Sequence, residues 1–179
     1  GVVHMKAGKK VVCFVAAAAM AVGMSAFTGC AEVKTGSVSD GLPESYADKV
    51  TLIIDDAATE AVDAYFQVDY SVFDEDSTAF DLLEKLKEGG KICFRSQDSA
   101  YGAFLEAAGI IRDGKEEYLI EADDSAQLFI AIYTNVEKDM AGPNSIRFGN
   151  ETVESSAVGI SSMSLKNGAI ICLTEESWA

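Results

Sequence analysis

A long uncharged run near the start of the chain separates a leader from the part that can fold in water. The run covers residues 11–27 (VVCFVAAAAMAVGMSAF) and contains no charged side chain. Lysines precede it within residues 5–10, and small residues follow it up to Cys30. This order is typical of a secretory signal peptide, and the run is short for a membrane span. The sequence therefore predicts a signal peptide over residues 1–29.

The end of this leader, Phe27-Thr28-Gly29-Cys30, resembles the lipobox of bacterial lipoproteins. In that motif a cysteine after a small residue is acylated on sulfur and becomes the mature N-terminus. The resemblance implies that Cys30 carries lipid, and that the exported protein is attached to the extracellular face of the cell membrane by this lipid only. A plain signal peptide cut near Ala26, or an uncleaved N-terminal anchor, stays open as an alternative.

The charge of the chain excludes nucleic acid as a partner. The full sequence has a formal net charge of −15. Removal of residues 1–29 would leave 150 residues with 11 basic and 29 acidic side chains, a net charge of −18, because Lys6, Lys9 and Lys10 precede the cut. A surface this acidic repels phosphate backbones and anionic headgroups.

The position of the only histidine limits the chemistry of the mature chain. It is His4, which lies inside the predicted leader. The remaining chain has no imidazole to act as a general base, a proton shuttle or a zinc ligand, so Ser-His-Asp and Cys-His catalysis are excluded. We therefore predict a protein that is not an enzyme and needs no cofactor.

The region after Cys30 is predicted to contain a tether and one domain. Residues 30–47 are rich in Ser, Gly and small polar residues, which predicts a flexible tether. The domain, residues 48–179, begins with two β-rich runs at 49–55 and 64–73. A helix follows, because leucines recur at helical spacing after a Thr78–Asp81 capping box. With a strand at 91–95, this order predicts an α+β class and a β-grasp-like fold.

The second half of the domain has weaker signals. Residues 99–111 (SAYGAFLEAAGII) are interpreted as a short helix, and residues 127–135 (QLFIAIYTN) are predicted as a strand. A polar loop is predicted over residues 136–144. Further strands are predicted at 145–148, at 152–157 and, after the Lys166-Asn167-Gly168 turn, at 169–174.

The order of these motifs resembles the bacterial DUF4430 family over residues 49–175. The resemblance rests on VTLIID, a Ser-Thr-x-Phe-Asp-Leu-Leu helix, SAYGAF at 99–104, FIAIYTN at 129–135 and LKNG at 165–168. That family is related to the small C-terminal β-domain of transcobalamin and intrinsic-factor proteins. The resemblance implies a β-grasp-like domain on secreted or lipid-anchored bacterial proteins. By analogy with the cobalamin carriers it also implies small-molecule binding, and a corrinoid ligand is suggested by this resemblance only.

Four aromatic residues are candidates for a ligand site, namely Tyr101, Phe104, Phe129 and Tyr133. Flat rings with a polar tip suit an extended or ring-shaped ligand, although aromatic side chains in strands also serve as core. Acidic clusters at residues 55–56, 74–76 and 123–124 lack the alternating pattern of a calcium loop. They are interpreted as solvated turns, and no metal site is predicted.

Three functions remain open at this point. The leading hypothesis is a non-enzymatic binding module for a small molecule or peptide. The second is an adhesive or structural domain that recruits protein partners through an exposed sheet edge. The third is a carboxylate-dependent hydrolase, which would need two acids opposed across a cleft.

Cys93 and Cys172 are the only cysteines after Cys30. In a β-grasp sheet the third and last strands are antiparallel neighbours, so the two residues are candidates for a cross-strand disulfide in an exported protein. Two buried free thiols that serve only in packing are the alternative.

Overall fold

Two sheets of unequal size share one helix and a common core. The computed structural model describes residues 35–178. Cys30 and the predicted leader lie outside the described residues. Within the described part, the strands are β1 (Thr35–Val38), β2 (Lys49–Asp55), β3 (Ala64–Asp69), β4 (Ile92–Ser99), β5 (Gly102–Arg112), β6 (Lys115–Glu121), β7 (Leu128–Thr134), β8 (Met140–Phe148), β9 (Glu151–Ser156) and β10 (Ile170–Ser177). The helix α1 covers Ala79–Glu88.

The larger sheet has seven strands in the order β1-β8-β9-β7-β10-β2-β3. Its last strand, β10, lies between β2, to which it is parallel, and β7, to which it is antiparallel. The smaller sheet is antiparallel, in the order β4-β5-β6. No helix among residues 35–178 has the length and apolar character of a membrane span.

The prediction of an α+β, β-grasp-like fold is wrong, because the described chain is mostly β. The strand β4 does not join β10, as a β-grasp sheet would require, but forms the smaller sheet with β5 and β6. The segment interpreted as a helix, residues 99–111, is mostly the strand β5. This strand pairs with β4 on one side and β6 on the other, and its Leu105, Ala107 and Ala108 are buried. These tertiary contacts outweigh the helix propensity of Ala, Leu and Glu.

The helix forms where the sequence predicts it, because its first turn is capped. The Asp81 carboxylate accepts the Thr78 N–H at 2.6 Å, and the capping box is complete. Gly89 ends the helix. Its apolar face, with Ala79, Leu82, Leu83 and Leu86, packs into a core between the two sheets.

The larger sheet is buried on its other face as well. A second apolar cluster there includes Ile53, Tyr133 and Cys172. Residues 39–48, which we call the crossing segment, connect β1 at one edge of this sheet to β2, and their Leu42 and Tyr46 pack on this cluster. The Ser39 N–H donates to the Glu60 carbonyl at 3.2 Å, and the Gln67 side-chain amide donates to the Ser45 carbonyl at 2.8 Å. The described part of the predicted tether thus supplies β1 and two of the side chains that cover this face.

Candidate ligand groove beside β7

The strand β7 (LFIAIYT) is paired along its whole length on one side only. Toward β10, the register pairs every residue from Leu128 to Thr134. Toward β9, it pairs only Tyr133 with Ser155 and Thr134 with Glu154. Within residues 35–178, no strand is registered against residues 129–132 on that side. Residues 129–132 of β7 therefore form a short open edge between β7 and β9, inside the larger sheet.

The hydrogen bonds that flank this edge establish its direction. The Trp178 N–H donates to the Gln127 carbonyl at 3.1 Å, whereas Leu128 exchanges bonds of 2.9 and 3.0 Å with Asp123 on the opposite side. In an antiparallel ladder these directions alternate from residue to residue. The N–H and C=O of Ile130 therefore point away from β10, into the gap.

The gap exists because β9 turns away and β8 bulges. The Ser156 hydroxyl donates to the Val158 carbonyl at 2.8 Å and accepts the Val158 N–H at 3.1 Å, which closes a turn at the end of β9. The register of β8 with β9 shifts between Met140 and Ser145. A groove of about 340 Å³ results, lined by Phe129, Ile130, Ala131, Ile132, Asn144, Ser155, Ser156, Val158 and Glu176.

The groove is apolar on its β7 side and carries one acidic group. Its lining includes side chains from both faces of β7, so it lies at the edge of that strand and not over one face. Among the described residues that line the groove, Glu176 is the only charged one. Its carboxylate accepts the hydroxyl hydrogen of the buried Tyr133. Burial, reinforced by this carboxylate, raises the pKa of Tyr133 above its ordinary value.

An aromatic stack includes one of the residues that line the groove. The rings of Phe129 and Trp178 are stacked, with centroids 5.5 Å apart and an interplanar angle of 13°. Trp178 is 59% exposed and is the only tryptophan in the sequence. This stack presents a flat apolar surface, and the tryptophan supplies an optical reporter for the groove.

The four predicted aromatic residues do not form one pocket. Phe129 and Tyr133 share a face of β7 and join the second apolar cluster, where Tyr133 is fully buried. Tyr101 is 90% exposed at the turn between β4 and β5, and Phe104 is half-exposed on β5. Of the four, only Phe129 lines the groove.

Sequence reasoning missed most of the groove. Ile130, Ile132, Ser155, Ser156 and Glu176 carry no motif, and they meet only through strand register. The one usable signal was Ile130-x-Ile132 in a strand of alternating pattern, which predicts two apolar side chains on one face. That signal does not reveal that β9 ends opposite them.

Three carboxylates gather in the loop between β2 and β3. The ligand atoms of Asp55, Asp56 and Asp63 lie within 4.8 Å of one another, and Asp55 is buried although a solvated turn was predicted there. Each accepts a backbone N–H of the loop, at 3.2 Å for Asp55, 2.8 Å for Asp56 and 2.7 Å for Asp63. Burial, with a contribution from the Asp56 carboxylate, raises the pKa of Asp63. These hydrogen bonds explain why the three carboxylates lie together, because each of them holds part of the loop backbone in place.

The predicted disulfide between Cys93 and Cys172 is not formed. Both cysteines are buried without a disulfide, and they lie in different sheets, on β4 and β10. The Cys93 thiol is 3.5 Å from the Ile110 carbonyl oxygen, and burial raises its pKa. The disulfide was one of two possibilities and depended on the β-grasp topology, whereas the structure has the two buried thiols of the alternative.

Comparisons with known proteins add two structural neighbours. No family model matches the sequence, and no curated protein matches it. A protein from Ruminococcus gnavus ATCC 29149 with a proposed metal-binding role aligns over 74% of this chain and 99% of its own, with 18% identity and a TM-score of 0.43. Haptocorrin in complex with Cbi aligns over 73% of this chain, with 13% identity and a TM-score of 0.45. This chain spans 25% of the length of haptocorrin. The resemblance to DUF4430 stays a prediction.

Proposed function

We propose that this chain is a non-enzymatic binding module whose ligand occupies the groove beside β7. The observation that carries the proposal is the open edge at residues 129–132, which combines apolar side chains with backbone groups directed into a cavity. Paired acids would be needed for glycoside hydrolysis, and within residues 35–178 the groove lining contains one carboxylate, that of Glu176. The groove thus favours binding over the hydrolase alternative.

The proposal includes export and attachment by a lipid on Cys30. The support is the order of the charged segment, the uncharged run and Thr28-Gly29-Cys30 in the sequence. Replacement of Cys30 by serine is expected to abolish fatty-acid labelling and to release the protein from the membrane fraction. Unchanged labelling and membrane retention of Cys30→Ser at its processed size would contradict this part of the proposal.

Binding in the groove can be tested through the emission of Trp178. We would titrate the full chain with a panel of hexapeptides and small aromatic metabolites. Ser155→Phe places a bulky ring in the groove, whereas Thr152→Phe places the same ring at an exposed position of β9 outside the lining. We expect at least one panel member to change the emission saturably in the natural chain and in Thr152→Phe, but not in Ser155→Phe.

A negative outcome of this test is equally clear. If no panel member changes the emission, or if Ser155→Phe binds as tightly as the natural chain, the groove is not the ligand site. Circular dichroism of both variants establishes that the inserted rings leave the fold intact.

A further inference from the structure

We infer that the occupant of the groove is an extended peptide segment with basic side chains, which adds to β7 as a short strand. This inference rests on the proposed ligand groove and names the class of its ligand. Addition of a peptide strand to an open sheet edge is a general mode of recognition, in which main-chain hydrogen bonds supply affinity and side-chain pockets supply specificity.

On β7, occupied backbone positions lie on both sides of the opening. Strand pairing is complete at Thr134, which pairs with Glu154, and a bridge to Asp123 occupies Leu128. Ile130 lies between them with its N–H and C=O directed into the groove. A bound strand that exchanged hydrogen bonds with Ile130 would continue the line of β9 past the turn at Ser156.

The length of the opening restricts the ligand. The open edge of residues 129–132 corresponds to about 13 Å of strand at roughly 3.3 Å per residue. The Asp123–Leu128 bridge closes one end and β9 closes the other. This slot fits about four extended residues. The long edge strand of another folded domain would collide with the bridge at one end and with β9 at the other.

The side chains around the slot suit alternating residues. Phe129 and Ala131 belong to one face of β7, and Ile130 and Ile132 belong to the other. Successive side chains of an added strand would therefore reach apolar surface on both faces of the sheet. The Phe129–Trp178 stack extends this surface on the first face.

Charge selects among such peptides. Glu176 is the one charged side chain in the described part of the lining, and the whole sequence carries a formal net charge of −15. A peptide with Lys or Arg gains from this field, and an acidic peptide of the same shape is repelled. The preference should weaken as salt screens the field.

The test uses an N-acetylated, C-amidated hexapeptide of alternating Lys and Val, titrated into the full chain with Trp178 emission as the signal. The matched ligands are the Glu-Val hexapeptide and two Lys-Val hexapeptides that are N-methylated at the odd or at the even residues. N-methylation removes alternate N–H donors but keeps the side chains. We expect at least one methylated form to bind about tenfold more weakly or worse, which is the effect of one lost hydrogen bond. The Glu-Val peptide should also bind about tenfold more weakly or worse, because the acidic groove repels it. In Glu176→Gln, the difference between Lys-Val and Glu-Val should shrink.

Each other outcome overturns the inference at a defined point. Equal binding of all methylated forms would exclude strand addition while leaving the groove as a site. Binding of a small metabolite that Ser155→Phe abolishes, with no binding of any hexapeptide, would support the proposed function and overturn the peptide. A dimer of the free chain that is lost in Ser155→Phe, measured by analytical ultracentrifugation, would assign the groove to a second copy.

Discussion

Two buried tyrosine hydroxyls differ in whether they have a hydrogen-bond partner. Tyr133 donates to Glu176, whereas the buried hydroxyl of Tyr46 has no partner among the described residues. We expect Tyr133→Phe to lower the free energy of unfolding by about 1–2 kcal/mol, because the Glu176 carboxylate loses a donor. Tyr46→Phe should be neutral or slightly stabilising, because it removes an unsatisfied polar atom. Urea denaturation of both variants measures the contrast, and equal losses would contradict it.

Asp63 and Asp74 should respond to pH in opposite directions. Burial raises the pKa of Asp63, so ionisation of this carboxyl opposes folding at neutral pH. We expect Asp63→Asn to be more stable than the natural chain at pH 7, with the advantage vanishing as pH falls below the ordinary value of 3.8.

Asp74→Asn is the matched control for that pH dependence. The Ser77 hydroxyl and the Asp76 N–H donate to the Asp74 carboxylate and lower its pKa. This carboxylate therefore stabilises the fold above 3.8, and that stability is lost as pH falls through its lowered folded pKa. Asp74→Asn should be destabilised at pH 7 and unaffected at low pH. Thermal denaturation of both variants across the pH range measures this contrast. Stability changes of the same sign at pH 7 would contradict the prediction.

At the residue scale, the sequence indicated which residue types could form a site better than it indicated where their side chains lie. Whether an aromatic side chain is buried or exposed can be predicted only when its surroundings in the fold are known. Tyr133 and Tyr101 received the same interpretation, yet one is fully buried and the other is 90% exposed. The difference lies in tertiary surroundings that no local pattern contains.

Among the elements, β5 depends most on one close approach. A Cβ atom at Gly109 would lie 2.0 Å from the Glu117 carbonyl oxygen, which is on the neighbouring β6. We expect Gly109→Ala to cost about 1–3 kcal/mol, because the two strands must separate to admit the methyl group. Gly159→Ala is the control, since its Cβ would make an ordinary contact at 3.5 Å. Equal stability of the two variants would show that β5 and β6 adjust without cost.

The elements themselves were predicted unevenly, and for physical reasons. The bounds of β2 and the capping of α1 were predicted because their signals are local. Residues 127–135 and 169–174 were also correctly predicted as strands, now β7 and β10. β5 was taken for a helix because alanine, leucine and glutamate favour helices in isolation. β6 was not predicted, since its charged edge (KEEYLIE) shows little alternation.

For the whole molecule, the crossing segment is the largest feature that composition concealed. Leu42 and Tyr46 pack on the second apolar cluster, although their neighbours are small and polar. We expect a chain that begins at residue 48 to be less stable than one that begins at residue 39 by at least about 2 kcal/mol, because the face of the larger sheet would be exposed to water. It should also bind the dye ANS. Equal stability and no dye binding would indicate that the segment covers this face without supporting it.

The place of β10 within the larger sheet has a consequence for how the chain is made. This strand lies between β2 and β7, so the sheet has a gap at its centre until residue 177 has left the ribosome. Contacts between β10 and β2 join residues more than a hundred positions apart, which makes their formation slow. During synthesis the nascent polypeptide therefore has no complete core into which it can collapse. That delay keeps the nascent chain unfolded for longer, which is what the export proposed above requires.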